Sequence, residues 1–134
     1  MTLALDTSAL LARYLRGPER DVVVAAMATD PSWCACALAL TEALMLAERV
    51  VGNPYDADAL RRALRDDWER IAVVPVDERC LDLAAELGRT HPVRTTDAVH
   101  LAAAARLPAP VRYCTFDPNQ IPVALSLGFE VIST

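Results

Sequence analysis

Two kinds of apolar pattern alternate along this chain. Short unbroken runs read as buried strands, and longer stretches with apolar residues every three or four positions read as helices. Leu3-Ala4-Leu5 is the first run, and it stops abruptly at Asp6-Thr7-Ser8. Ala9, Leu10, Leu11, Tyr14 and Leu15 follow at helical spacing until Arg16-Gly17-Pro18 breaks the pattern. Pro18, with Glu19 and Asp21 behind it, starts a helix whose buried face is Val22 to Met27 and which Asp30-Pro31 closes. Trp33–Cys36 is a fully apolar strand, leading into a helix over Ala37–Val50 that is apolar nearly all round for three turns, the pattern of a buried helix.

Gly52-Asn53-Pro54 is a turn. Asp56–Arg70 then forms an amphipathic helix, with Ala57, Leu60, Leu64 and Trp68 on one face and Arg61, Arg62, Arg65, Asp66 and Asp67 on the other. Ile71–Val76 is a strand with Pro75 at its exit, and Asp77–Arg89 a helix turning Cys80, Leu83, Ala84 and Leu87 inward. The helix over Arg94–Ala105 is announced by Thr95 and Thr96, carries Asp97 in its first turn and ends in four consecutive alanines. Val111–Phe116 is a strand stopping at Asp117-Pro118, a short helix runs through Val123-Ala124-Leu125, and Gly128 precedes the last strand, Phe129–Ile132. Strands alternating with helices over short connections mean a three-layer α/β/α domain spanning 1–134, with a mostly parallel sheet of four to five strands. Parallel strands present ligands beyond their carboxyl ends.

Composition narrows the chemistry. The 134 residues are 54% hydrophobic and only 5% aromatic, so the core is built from Ala, Leu and Val. All thirteen basic residues are Arg. A chain without Lys has no P-loop, and it lacks the Lys on which phospho-aspartate receivers and aspartate-nucleophile phosphatases rely. The net charge of −5 excludes a broadly basic coat for nucleic acid, but not nucleic acid held at a metal site, because a divalent ion inverts the local sign. Cys34, Cys36, Cys80 and Cys114 have no paired spacing and read as reduced core residues of a cytoplasmic protein. No signal peptide opens the chain, and no uncharged apolar run approaches the ~18 residues of a membrane span.

Four acids stand where a strand or apolar run meets a helix: Asp6, Glu42, Asp97 and Asp117. Each also has a structural reading: Asp6 and Asp117 suit N-caps, and Asp97 suits the helix dipole. Glu42 is the hardest to explain that way. It is the only charge in the first three turns of its helix, with no base three or four positions away, so either it reaches out to solvent or, as expected here, a partner from elsewhere in the fold meets it. If all four acids share one crevice, repulsion decides its use. Two carboxylates ~4 Å apart repel by about 4 kcal/mol at an effective dielectric near 20. Either some are protonated, or a divalent cation sits among them. Oxygen ligands without His or Cys select Mg²⁺ or Mn²⁺, and the chemistry natural to such a site is hydrolysis of a phosphodiester bond. Arg61, Arg62 and Arg65 offer either a solvated face or contacts to a phosphate backbone. His100 reads as a satisfied core histidine, one turn from Asp97. Ser8 with His100 and an acid has no Gly-x-Ser-x-Gly elbow to support a hydrolase triad.

These residues bring a family into view. Leu5-Asp6-Thr7-Ser8-Ala9-Leu10, Leu40-Thr41-Glu42-Ala43-Leu44, Thr96-Asp97-Ala98-Val99-His100-Leu101-Ala102, Thr115-Phe116-Asp117 and Leu127-Gly128-Phe129-Glu130-Val131-Ile132, in that order, resemble a PIN-domain ribonuclease of the VapC toxin type over essentially the whole chain. The resemblance implies that Asp6, Glu42, Asp97 and Asp117 are the metal-binding, catalytic acids, with Thr7, Ser8 and Thr96 as nearby hydroxyls. It implies Mg²⁺-dependent (Mn²⁺ as substitute) endonucleolytic cleavage of RNA and a homodimer. It also implies inhibition by a small antitoxin lying between the Ala37–Val50 and Asp56–Arg70 helices. Some relatives carry a further acid just after the fourth, where this chain has Pro118-Asn119-Gln120, so one tightly held ion is expected. The alternatives are a catalytically silent binding module of the same fold, or a processing nuclease of RNA or DNA with no antitoxin.

Overall fold

The computed structural model describes all residues, 1–134. Its elements run β1 (Thr2–Leu5), α1 (Thr7–Ala12), α2 (Pro18–Thr29), β2 (Ser32–Cys36), α3 (Ala37–Val51), α4 (Pro54–Trp68), β3 (Ala72–Val74), α5 (Glu78–Thr90), α6 (Thr95–Ala105), β4 (Val111–Cys114), α7 (Ile121–Ser126) and β5 (Glu130–Ile132). The five strands form one sheet in the order β3-β2-β1-β4-β5, and every pairing is parallel. β1 lies in the centre, with Leu5 level with Ala35 of β2 and Cys114 of β4. Asp6, Ala37 and the Thr115–Asp117 turn therefore leave the sheet along one edge.

Side-chain alternation along the strands divides the core in two. Leu3, Leu5, Ala35 and Cys114 join α1, α2, α3 and α4 on one face. Ala4, Cys36, Val111 and Tyr113 join α5, α6 and α7 on the other. All four cysteines are buried and unbridged. Burial pushes the Cys36 thiol up to about 11 and that of Cys114 to about 12. No helix is long and apolar enough to cross a membrane.

Three expectations are corrected here. The all-apolar helix α3 is not enclosed. Only Ala39, Ala43 and Ala47 are buried along it, and Met45 is 75% exposed. The small alanines, one turn apart, make the close contact, while the leucines between them are half-covered. The enclosed helix is α6, buried continuously from Asp97 to Ala104. Its start is the second correction: Arg94 occupies the N-cap with no side-chain bond, and Thr95 and Thr96 lie inside the first turn. Third, Asp67 of α4 is not on a solvated face. Its Oδ2 accepts from the Tyr14 hydroxyl at 2.5 Å and from Arg13 Nε at 3.0 Å, and Arg70 also reaches it. The Arg13 and Arg70 guanidiniums lie 5.9 and 5.6 Å from the Trp33 ring centre, so this cluster ties α1 and α4 to β2.

Candidate active site

The shared strand edge opens into a cleft of about 240 Å³ lined by Asp6, Thr7, Ser8, Leu11, Glu42, Leu46, Arg94, Thr96, Asp97, His100, Asp117 and Gln120. All four acids singled out in the sequence line it, with the three hydroxyl residues. They arrive from separate elements: Asp6 from the end of β1, Glu42 from α3, Asp97 from the first turn of α6 and Asp117 from the turn after β4.

Asp6 is only 2% exposed, and it takes the capping role the sequence offered while also lining the cleft. Its Oδ1 accepts from Ala9 N at 2.9 Å, capping α1, and from Ser8 Oγ at 2.7 Å. Its Oδ2 accepts from Thr115 Oγ1 at 2.7 Å. Burial raises the Asp6 carboxyl above its ordinary value, overcoming these donors, which pull it down. Ser8 Oγ in turn accepts from Phe116 N at 3.0 Å, and Thr115 Oγ1 from Asp117 N at 3.1 Å. The two hydroxyls thus lock the β4 exit turn onto the β1 exit. Asp117 does not cap α7, whose N-cap is Gln120; it closes its own turn by accepting from Asn119 N at 2.9 Å.

Asp97, 5% exposed, is held on two sides. Gln120 Nε2 donates to its Oδ1 at 3.0 Å and Arg94 Nε to its Oδ2 at 3.3 Å. Gln120 is oriented by the buried Tyr113, whose hydroxyl donates to Gln120 Oε1 at 2.5 Å. Burial, then the negative field of Asp6 and Asp97, keeps that phenol protonated. Arg94 also stands 3.9 Å from Asp117 Oδ2, so its guanidinium bridges two acids at the mouth of the cleft.

Glu42 meets its expected partner from outside its own helix. His100 Nε2 lies 2.5 Å from Glu42 Oε1, and Thr7 Oγ1 donates to the same oxygen at 2.8 Å. The His100 hydrogen bond lowers the Glu42 carboxyl below its ordinary value against an opposing effect of burial. His100 is therefore not the satisfied core histidine read from the sequence. It faces Glu42 rather than Asp97, and its Nδ1 is buried without a partner.

As the side chains stand, no three of the cleft's acids and histidine come within joint reach of one ion. The arginines proposed from the sequence lie elsewhere. Arg61, Arg62 and Arg65 are on α4, outside the lining, and Arg61 is engaged with Leu44 O at 3.4 Å and with Asp58 at 3.1 Å. The arginine at the cleft is Arg94, whose signal was its place three positions before Asp97. Gln120 and Thr115 had no such signal, because the acids they touch, Asp97 on α6 and Asp6 beyond β1, are brought to them only by the fold.

The PIN domain family model matches residues 3–132. The chain belongs to the PIN domain family. It is 34% identical over 130 residues to Ribonuclease VapC46 of Mycobacterium tuberculosis, covering 96% of this chain and 95% of that protein. Among solved structures, VapC20 of Mycobacterium tuberculosis, described as a Sarcin-Ricin loop cleaving toxin, superposes with a TM-score of 0.71 at 18% identity, covering 90% of this chain and 94% of that one. The VapBC-5 toxin–antitoxin structure from the same organism gives 0.69 at 19% identity, covering 99% and 98%. The sheet order, the helical layers and the cleft at the strand ends are thus a PIN fold.

Proposed function

We propose that this PIN domain is a metal-dependent endoribonuclease acting as the toxin of a toxin–antitoxin pair. The observation that carries the proposal is the gathering of Asp6, Glu42, Asp97 and Asp117 around one small cleft. The donor chemistry of that cleft suits Mg²⁺ or Mn²⁺. Glu42 Oε2 takes no protein donor, Asp6 Oδ2 and both Asp97 oxygens take one each, and Asp117 Oδ2 has only the distant Arg94. Each acid therefore keeps an oxygen lone pair for a hard cation. Asp6, Glu42, Asp97 and Asp117 would hold it. When bound, the ion supplies an activated water and offsets charge on the phosphate undergoing in-line displacement.

The chain's own groups do the rest. Thr115, Ser8 and the α1 backbone fix Asp6, while Gln120 fixes Asp97 from behind. Arg94, its side chain 78% exposed, is free to swing from the acids to a non-bridging phosphate oxygen of RNA. Arg62 and Arg65 serve only RNA that extends past the cleft. The relatives' names support a small antitoxin as partner, and we take the toxin to be a cytoplasmic homodimer.

The test is cleavage of a structured RNA by the purified protein with Mn²⁺ and with EDTA. Wild type should cut only with metal, and Asp6→Asn and Asp97→Asn should each lose cutting while staying folded. Cleavage retained by either variant, or by wild type in EDTA, overturns the proposal.

A further inference from the structure

The opposite side of the Glu42–His100 bond shows what the histidine is for. His100 sits on the enclosed helix α6, 4% exposed, and its ring closes a narrow void with Cys34, Cys36, Val74, Leu107 and Tyr113. Its Nδ1 is buried with no hydrogen-bond partner. A buried nitrogen left unpaired costs stability, so an apolar side chain would serve the core better. The polar ring is accounted for only by its other nitrogen. With no acceptor at Nδ1, the ring proton belongs on Nε2, where Glu42 Oε1 accepts it at 2.5 Å. Thr7 Oγ1 donates to that same oxygen, so Oε1 is filled and Oε2 is left without a protein donor. Glu42 lies on α3 and His100 on α6, helices from opposite faces of the sheet.

We infer that His100 is a positioning residue: through Nε2 it anchors Glu42 Oε1, holding the free Oε2 at the cleft for the divalent ion. The ion-binding part rests on the ribonuclease reading of the cleft, whereas the hydrogen bond itself can be tested without it. Partners that orient ligating carboxylates typically contribute about 10–100-fold in metal affinity or activity.

Three variants separate positioning from packing. His100→Leu keeps the bulk and removes both nitrogens. His100→Gln places an amide N–H near the former Nε2, and His100→Asn places one near Nδ1. Mn²⁺ affinity, read by paramagnetic resonance or calorimetry, should fall ~10-fold or more in His100→Leu. His100→Gln should recover most of that loss and His100→Asn should not. In a Glu42→Gln background, His100→Leu should have no further effect on Mn²⁺ affinity. Separately, the metal-free wild type should show a slowly exchanging imidazole N–H resonance that shifts in Glu42→Gln. Equal Mn²⁺ affinity in wild type and His100→Leu overturns the inference, as does rescue by Asn equal to rescue by Gln. An imidazole resonance indifferent to Glu42→Gln overturns it even if His100→Leu fails to fold. If the resonance responds but wild type neither binds Mn²⁺ nor cuts RNA, the ribonuclease reading is what fails.

Discussion

The hydroxyl of Thr115 donates to Asp6 Oδ2 across 2.7 Å, joining two positions 109 residues apart in the chain. Both lie just past the ends of adjacent parallel strands, so sheet register alone brings them together. Thr115→Val should keep the shape of the side chain and remove the donor. Asp6 would then be buried with one oxygen unpaired, and Asp117 N would lose its acceptor. The expected cost is about 1–3 kcal/mol in denaturant unfolding, together with reduced cleavage.

Asp6 itself opposes folding when ionised in the metal-free protein. Its folded pKa is raised, so the stability linked to it is fully present below the unfolded value near 3.8 and is lost as pH rises through the higher folded value. Asp6→Asn has no such dependence. In EDTA its melting temperature should therefore gain on that of wild type as pH rises from 3.8 toward neutrality. Added Mn²⁺ should reverse the order, since a ligand at 100 times its Kd stabilises the binding form by about 2.7 kcal/mol. Calorimetry across pH, with and without Mn²⁺, checks both signs.

Asp67 should behave oppositely. Burial pushes its carboxyl up, but the bonds from Tyr14, Arg70 and Arg13 win and hold it below its ordinary value. The resulting stability is present above pH 3.8 and disappears as pH falls through the lower folded value. Asp67→Asn should cost about 1–3 kcal/mol at neutral pH and nothing at strongly acid pH. RNA cleavage should survive, because the residue does not line the cleft.

Arg94→Ala removes the cation that bridges Asp97 and Asp117. Mn²⁺ should bind more tightly, since a competing positive charge has gone. RNA should bind more weakly, by ~10-fold for one lost charge-assisted contact. Titrating the two ligands separately gives the two opposite shifts.

Close packing at α3 gives a test away from the chemistry. Ala43 is wholly buried between Ala39 and Ala47. Ala43→Leu should overfill that contact and destabilise by about 1–3 kcal/mol, whereas Met45→Ala, on the exposed face, should be nearly neutral in the same melt.

The sequence was most legible where function and periodicity coincide. Asp6 and Asp117 could be placed because a strand visibly ends before each, and Glu42 because its charge contradicts its surroundings. The burial of α3 was misread because hydrophobicity does not reveal which apolar face is used. Three alanines set the contact there, and four leucines do not. His100 was misjudged for a related reason: its partner lies 58 positions away on a helix of the opposite layer. Gln120 and Thr115 are ordinary polar residues until the chain returns to the centre of the sheet. The row of arginines on α4 drew attention by its spacing, yet the one arginine at the acids precedes a helix and forms no row.

The cleft draws Asp6 from the first strand's exit and Thr115, Asp117 and Gln120 from near the other terminus. A growing polypeptide therefore has no finished centre until almost all of it has left the ribosome. If the cleft is the nuclease centre proposed above, polypeptides that end before Thr115 would lack it.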